Sequence, residues 1–490
     1  MRQNLPELVL AVMVLIVLAF AGSRTASDPD LWGHVRFGQD ILAAHSLPRQ
    51  DPYSFTSDQP WVNHEWLAEV LMAGGYTMAG SMGLIALKWA LYASTMAVLW
   101  HAFRRSGVFP PVAVGLLLAA TVGVYPLIIC VRPQLFSLLG LAIELALMNG
   151  IARRRTRLFL WMPVVFASWA NLHGGWIVGA GVLVLWTAAA TVTGIITWPW
   201  AAAGTCLALL GSLITPYGVG LWRFLWETVG FGRADIGDWQ PLTSDPAYLI
   251  PWALTAFLVV MAWRRCGVAA LAQLVPVIAL GILALRVIRL EGMFALTSVM
   301  LLAPTFAAFG PRQLPLSSRP TRSDVAVVGV MCLAGLVATT IALRPGLACV
   351  TIPDPDQEES WAPEPDVIAF FQQNQLQGRL LSYFDYGEIA IWYLAPRIYV
   401  SYDGRRETVY SPAVQEAHNR FYSSRDDASY AKALKADYIW LPHRLPVIGP
   451  LGRDGWVAVF RGSESVVLAR EAGQYKQPAP RAGLRCFPGP

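Results

Sequence analysis

Charged side chains are scarce in this sequence of 490 residues, at 14% against roughly 25% in soluble domains. The scarcity is uneven: residues 345–490 hold 32 of the charges, and the much longer stretch 1–344 holds only 37. The first part therefore cannot be an ordinary soluble domain, whereas the second part can. We predict a polytopic α-helical membrane protein that carries one globular domain at its C-terminal end.

The sequence also lacks the signatures of several function classes. It has no phosphate-binding glycine loop, no nucleophile elbow and no Cys-x-x-Cys pair. The net charge is only +5 and there is no polybasic tail, so nucleic acid is not an expected partner. These absences exclude a soluble nucleotide-binding enzyme and a nucleic-acid-binding protein.

Apolar runs near the length of about 20 residues that crosses a bilayer occur about eleven times. They lie near 6–23, 81–103, 111–130, 134–150, 158–171, 175–195, 198–214, 249–263, 267–285, 290–306 and 324–343. Arginines in alternate connections mark the cytoplasmic side by the positive-inside rule. They are Arg104, Arg105, Arg153, Arg154, Arg155, Arg157, Arg264, Arg265, Arg312, Arg319 and Arg322.

Eleven spans place the C-terminal domain outside the membrane. We therefore predict a multi-pass protein of a bacterial inner membrane, in which residues 1–344 form the transmembrane domain with an external first loop at 24–80. Residues 345–490 are predicted to form a periplasmic α/β domain, because helix-like and strand-like segments alternate there.

The first external loop contains the acidic residues of greatest interest. Apolar and aromatic residues between Leu31 and Leu42 predict a helix that lies in the membrane interface, and Asp28 and Asp30 stand just before it. The two carboxylates could cap free backbone N–H groups of that helix. They could also act as a base, because a carboxylate at the water–lipid boundary is partly desolvated.

Three arginines on the external side run against the positive-inside rule. Arg132 lies between two spans, and Arg286 and Arg289 lie at an outer span end. They could extend to lipid headgroups as interfacial anchors. They could also bind the phosphate of a lipid-linked substrate, because a guanidinium group matches phosphate oxygens bidentately.

Other polar residues are predicted on the same outer face. The candidates for orienting a substrate there are His34, Arg36, His64, Glu65, Asn171, His173 and Asp238, together with Asp385 and Tyr386 of the C-terminal domain. For His64 and Glu65, binding of a metal and binding of sugar hydroxyls both stay open, and His173 could equally be a packed residue. No comparable row of polar residues crosses the interior of the membrane domain. The pattern therefore favours a reaction at the outer leaflet over conduction across the bilayer.

In the C-terminal domain, Asp385 and Asp403 each follow a strand-like run, where α/β folds often place functional loops. A turn at a strand end is the alternative for both. Cys349 and Cys486 bracket the domain and are the two cysteines placed firmly outside, so we predict a disulfide between them. The alternative is a pair of free thiols in a Pro- and Gly-rich tail.

The first loop resembles that of integral-membrane glycosyltransferases of the GT-C type, above all the catalytic subunit of oligosaccharyltransferase. That family has a catalytic Asp in this loop, an Arg six positions later and a further Asp before a turn. Asp30, Arg36 and Asp51 match this pattern. The lipid-A aminoarabinose and protein mannosyl transferases are similar more loosely, with an acidic pair where this chain has Asp28 and Asp30.

A second part of the resemblance lies in the C-terminal domain. The Asp-Tyr-Gly of a motif in the family's external domain is matched by Asp385, Tyr386 and Gly387, whereas its tryptophan pair is absent. The external connection at 130–134 also lacks the family's metal-binding aspartates, which leaves a divalent metal ion undecided. An acceptor Asn-x-Ser/Thr sequence is not implied.

The resemblance implies a transferase that takes a sugar from a polyprenyl-phosphate-linked donor in the membrane lipid. Asp30 or Asp28 would be the base, Arg286, Arg289 and Arg132 would bind the donor phosphate, and the displacement would be inverting. The acceptor, whether glycan, lipid or protein, is not identified. Two other hypotheses stay open: a transporter or lipid-handling protein, and a non-catalytic assembly protein for an envelope polysaccharide.

Overall fold

The structure is a computed structural model that describes residues 16–228, 236–307, 349–353, 361–479 and 486–489. The predicted span 324–343, the first part of the span 6–23 and the predicted cytoplasmic arginines 312, 319 and 322 lie outside the described residues.

Helices make up most of the described chain. They are α1 (Leu31–Ala44), α2 (Trp66–Ala79), α3 (Ser81–Arg105), α4 (Pro110–Ile129), α5 (Gln134–Ala152), α6 (Met162–Ala170), α7 (Trp176–Val192), α8 (Trp198–Gly211), α9 (Val219–Thr228), α10 (Leu249–Cys266), α11 (Leu271–Arg286), α12 (Glu291–Phe306), α13 (Asp366–Gln373), α14 (Gly387–Leu394), α15 (Pro412–Ser423), α16 (Ser429–Ala433) and α17 (Ile448–Arg453). The strands are β1 (Gly378–Ser382), β2 (Ile398–Val400), β3 (Tyr438–Pro442), β4 (Val457–Arg461) and β5 (Ser465–Ala469).

The chain divides into two compact units. The first, here called the helical unit, consists of Met1–Thr25, Ala86–Arg223 and Gly232–Ala348. The second, here called the α/β unit, consists of Ala26–Ile85, Phe224–Phe231 and Cys349–Pro490. The first loop and the C-terminal segment, which are far apart in sequence, thus belong to the same unit.

Within the described residues, five helical stretches are long and apolar enough to cross a membrane. They are Ser81–Arg105, Pro110–Ile129, Gln134–Ala152, Pro246–Cys266 and Ile288–Phe306. The apolar helices Trp176–Val192 and Leu271–Arg286 are shorter. These stretches identify a multi-pass membrane protein, and the count of about eleven spans stays a prediction.

Helix α12 lies at the centre of the helical unit. It packs against α4, α5, α10 and α11, and nearly all of its side chains are buried. The contact with α4 is close because a Cβ atom at Gly123 would overlap the Cβ of Ala295. Small residues permit such close approach of membrane helices, where lipid supplies no hydrophobic drive for association.

The α/β unit contains a five-stranded sheet with the order β2-β1-β3-β5-β4. Strand β1 pairs in parallel with β2 and β3, and β5 pairs antiparallel with β3 and β4. Helix α14 connects β1 to β2, as the parallel pairing requires. The alternation of helices and strands predicted for this segment is confirmed.

The first loop is built into this unit by helix packing and by a backbone bridge. Helix α1 packs on α2 and on α14. The backbone of Ser54 forms a parallel bridge with Val400 at the open side of β2. The predicted disulfide between Cys349 and Cys486 is confirmed, with Cα atoms 5.3 Å apart.

The residue after the disulfide is also packed. Phe487 is buried against the rings of Trp32, Tyr76 and Trp392, so this part of the C-terminal tail is ordered against α1 and α2.

Candidate functional site

The two candidate bases of the first loop differ in their exposure. Asp30 is the residue immediately before α1, and its side chain makes no capping hydrogen bond to that helix. It is half-buried, whereas Asp28 is buried with only 4% of its surface exposed. A base must reach the proton that it removes, so the geometry favours Asp30 over Asp28.

Two further carboxyl groups interact with Asp30. Burial and then the charge of Asp30 raise the pKa of Asp385 to about 7, while Arg444 acts in the opposite direction. Burial and then the charge of Asp30 also hold the pKa of Glu388 well above its ordinary value. The loop after β1 and the first turn of α14 therefore each place a carboxyl group near the candidate base. The sequence singled out Asp385 but not Glu388.

His34 lies on α1 among acidic groups. Its Nδ1 atom is 3.4 Å from an oxygen of Glu69, and its Nε2 atom is 4.0 Å from Glu65. Burial lowers the pKa of His34, but the hydrogen bond to Glu69 and the charges of Glu65, Glu69 and Asp30 outweigh it and leave the pKa raised. The acidic neighbours of His34 thus favour the protonated form of its imidazole.

Glu65 and Glu69 each interact with a further side chain. His64 lies 3.6 Å from Glu65 through its Nε2 atom, and its ring packs on Phe224. The amide of Asn63 donates to Glu69 at 2.5 Å. The structure therefore brings together the predicted orienting residues His34, His64 and Glu65, and adds Glu69.

Arg36 interacts with residues other than those around His34. Its Nε atom donates to Asp40 at 2.9 Å, and the hydroxyl of Tyr53 also donates to Asp40. This group lines a groove of about 320 Å³ with Trp61 and Tyr399. Six positions along a helix correspond to a rotation of roughly 240° about its axis. The sequence match of Arg36 to the family pattern therefore does not translate into a contact with Asp30 among the hydrogen bonds of the described residues.

Asp51, the third residue of the family pattern, belongs to a buried ion-pair network. Arg405 binds both oxygens of Asp51, at 2.6 and 2.8 Å, and both oxygens of Asp403, at 2.9 and 2.7 Å. Burial raises the pKa of Asp403, but Arg405 and the hydroxyl of Tyr410 outweigh it and hold the pKa below its usual range. Asp51 and Asp403 thus stabilise the α/β unit.

Tyr386 is packed inside the same unit. It is 1% exposed, and its ring lies 4.7 Å from that of Trp440. These contacts hold the loop that carries Asp385. An orienting role for Tyr386 stays a prediction.

In the helical unit, Arg132 and Arg289 have different partners. Arg132 donates to Asp238 at 2.9 Å. Burial and the charge of Arg289 lower the pKa of Arg132, while Asp238 raises it. The two guanidinium groups therefore repel each other, and an anion between them would relieve that repulsion.

Arg289 contacts His173 and Gln134. It approaches Nε2 of His173 at 3.1 Å and, when the amide of Gln134 is turned, the oxygen of that side chain at 2.9 Å. Nδ1 of His173 lies 2.6 Å from the hydroxyl of Ser137, which accepts from the indole of Trp169. The backbone N–H of Gly175 also lies 3.0 Å from Nδ1, so both ring nitrogens of His173 have close partners. The predicted residue His173 thus orients Arg289.

The remaining predicted residues of this unit are Arg286 and Asn171. Arg286 is exposed in the last turn of α11. The amide of Asn171 donates to the backbone oxygens of Ala167 and Ile214 at 2.7 and 2.8 Å, which ties the end of α6 to the segment after α8.

Of three buried ionisable residues in the membrane helices, sequence inspection noted Glu291 as an acid at an outer span end and missed Lys88 and Glu144. Lys88, Glu144 and Glu291 are each no more than 1% exposed. The ammonium group of Lys88 donates to the backbone oxygens of Gly22 and Arg24. A charge within an apolar run was the available signal, because such residues are rare in membrane spans.

Among the described residues, no group of three or more His, Cys, Asp or Glu side chains is arranged to hold a metal ion.

No protein-family model matches the chain, and no curated protein matches it in sequence. Among solved structures, the chain is similar to the crystal structure of ArnT from Cupriavidus metallidurans bound to undecaprenyl phosphate, with a TM-score of 0.53 and 13% identity. The similarity covers 96% of this chain and 99% of ArnT. The protein thus has the fold of a GT-C type membrane glycosyltransferase, as the resemblance in the first loop implied.

Proposed function

We propose that this protein is a membrane glycosyltransferase that takes a sugar from a polyprenyl-phosphate-linked donor and transfers it to an acceptor at the outer face of a bacterial inner membrane. The observation that carries the proposal is the similarity in fold over 96% of the chain to a protein crystallised with undecaprenyl phosphate. The topology proposed with it has about eleven spans and a periplasmic α/β unit.

Asp30 is the proposed base. It is accessible while Asp28 is buried, and the carboxyl groups of Asp385 and Glu388 lie near it. In the proposed step Asp30 takes a proton from the acceptor nucleophile. The nucleophile attacks the anomeric carbon, the bond to the carrier phosphate breaks, and the anomeric centre is inverted.

The helical unit has the proposed phosphate-binding residues. Arg289 is oriented by His173 and Gln134, which leave its positive charge in place, and Arg132 lies close enough to repel it. Arg286, which is exposed, is the third proposed ligand. Fixed guanidinium groups stabilise the charge that develops on the leaving phosphate.

His34, His64, Glu65 and Asp385 are proposed to orient hydroxyl groups of the sugar or the acceptor. Carboxylates accept hydrogen bonds from hydroxyl groups, and a protonated imidazole donates them. The cluster therefore offers both kinds of partner that a sugar requires.

The test uses the full chain in nanodiscs with undecaprenyl-phosphate-linked sugars as donors and an extract of bacterial envelope lipids and glycans as the source of acceptors. Released undecaprenyl phosphate is detected by mass spectrometry. Wild type should release the carrier, Asp30→Asn should abolish release, and Asp28→Asn should retain it. The control Asp426→Asn removes an exposed carboxyl group of the same unit and should leave release unchanged.

Full release by Asp30→Asn would overturn the assignment of the base. If wild type moves labelled lipid across vesicle membranes without forming a covalent product, the transporter hypothesis replaces the transferase. If the wild type does neither and Asp30→Asn still supports envelope polysaccharide assembly in cells, the assembly-protein hypothesis replaces both.

A further inference from the structure

Glu388 is a buried carboxyl group beside the start of α1. It lies in the first turn of α14, is 3% exposed, and accepts a hydrogen bond from the backbone N–H of Gly33 at 3.1 Å. Because α14 packs on α1, the side chain of Glu388 reaches the first turn of the helix that Asp30 precedes.

Gly404 shows how close the two carboxyl groups are. A Cβ atom at this position would lie 2.7 Å from Oε1 of Glu388 and would overlap Oδ1 of Asp30. Two atoms that both lie so near one point are within about 5 Å of each other, the range in which like charges shift pKa values. The absence of a side chain at Gly404 therefore leaves space for both carboxyl groups.

Two carboxyl groups at this separation cannot both be ionised at low cost. The groups that act on Glu388, besides its burial, are Asp30, Asp403 and Glu69, which disfavour its anion, and Arg405, which favours it. The N-terminus of α1 lies near both carboxyl groups, but Asp30 is the more exposed of the two, so water stabilises its anion better. The proton is thus better placed on Glu388 than on Asp30.

We propose that Glu388 is a positioning residue that keeps a proton next to Asp30, so that Asp30 remains the ionised member of the pair and is ready to accept a proton. The role of Asp30 as a base rests on the function proposed above, whereas the sharing of charge between Asp30 and Glu388 does not. When Asp30 takes the acceptor proton, Glu388 keeps its own, and the pair becomes neutral.

The first test measures protonation directly, by infrared difference spectroscopy of the full chain in nanodiscs. The spectrum of wild type minus Glu388→Gln should contain the C=O stretch of a protonated carboxylic acid at neutral pH. In the Asp30→Asn background the pH at which this band disappears should be lower, because the neighbouring negative charge is gone. The matched control Glu416→Gln removes an exposed carboxyl group and should remove no such band.

This experiment does not depend on transferase activity, so its failure differs from failure of the proposed function. Absence of a protonated band from Glu388 at neutral pH would overturn the proposal. An unchanged titration of Glu388 in Asp30→Asn would overturn it as well.

The second test compares release of undecaprenyl phosphate by variants of the pair. Glu388→Gln preserves a neutral hydrogen-bonding group and should retain several times more activity than Glu388→Ala. Gly404→Ala should lower activity about as strongly as Glu388→Ala, because its methyl group would displace both carboxyl groups. If Glu388→Gln and Glu388→Ala are equally active, the protonated carboxyl group has no role in positioning.

Discussion

Both carboxyl oxygens of Asp51 accept hydrogen bonds from the guanidinium of Arg405, at 2.6 and 2.8 Å, across 354 positions of sequence. The guanidinium also packs on the rings of Phe37, Tyr53 and Trp61, with its carbon 4.9 Å from the centre of the Trp61 ring. This contact joins the first loop to the C-terminal segment within the α/β unit.

Replacing Arg405 by Met should strongly destabilise the α/β unit. The change leaves Asp51 and Asp403 buried without their cation, and breaking a buried ion pair typically costs about 3–5 kcal/mol. Thermal unfolding of the full chain followed by tryptophan fluorescence measures the effect. Arg420→Met, which breaks the exposed pair with Glu416, is the control and should change stability by less than about 1 kcal/mol. Equal effects of the two substitutions would contradict the prediction.

The same network predicts that the protein loses stability as the solution becomes acidic. Because the folded-state pKa of Asp403 is depressed, its contribution is present above the ordinary Asp pKa of about 4 and is lost as the pH falls through the lower folded value. Unfolding midpoints measured as a function of pH should therefore fall less steeply in acid for Asp403→Asn than for wild type. Parallel curves for the two proteins would show that Asp403 does not contribute in this way.

Asp385 should make carrier release depend on pH near neutrality. Its pKa is raised to about 7, so its carboxyl group ionises as the pH rises through that value. If the carboxylate accepts hydrogen bonds from sugar hydroxyls, the rate should rise between about pH 6 and 8, and Asp385→Asn should remove this step. A step that persists in Asp385→Asn would assign it to another group, such as His34.

Replacing Arg289 by Ala should weaken binding of undecaprenyl phosphate. Hydrogen bonds to a charged group contribute about 1.5–3 kcal/mol, which corresponds to roughly tenfold or more in the dissociation constant. Arg289→Lys should also bind more weakly than wild type, since the planar fork is lost while the charge remains. Native mass spectrometry of the protein in nanodiscs gives the affinities.

The control for this series is Arg264→Lys, in the last turn of α10 among the predicted cytoplasmic arginines. Its affinity should equal that of wild type. The same substitution at Arg286 tests the second predicted phosphate ligand. Unchanged affinity in both Arg289→Ala and Arg286→Lys would leave these arginines as interfacial anchors.

Loss of the disulfide should destabilise the α/β unit. Cys349 and Cys486 are separated by 137 positions, and closing a loop of that size contributes on the order of 4–5 kcal/mol in the chain-entropy model. Cys349→Ser should therefore lower the unfolding midpoint, and reductant should have no further effect on that variant. Cys206→Ser, at an exposed free cysteine, should behave like wild type.

Much of the fold could be predicted from local pattern. Long apolar runs predicted the membrane helices because a bilayer leaves the backbone few alternatives, and alternation of strand-like and helix-like segments predicted the elements around β1 and α14. The side-chain partners could not be predicted in the same way. Arg36 matched a family spacing, yet it pairs with Asp40, because the direction of a side chain depends on the helix surface that is buried.

The sequence by itself predicted a multi-pass membrane protein, the segments where charge is tolerated, and a helix of the first loop that Asp30 precedes. Only the tertiary structure decided that Glu388 and Gly404, more than 350 positions away, lie beside Asp30, and that Asp51 pairs with Arg405. The physical reason is that hydropathy acts on each segment separately. The pKa of a carboxyl group depends instead on burial and on charges a few ångströms away, which distant parts of the chain supply.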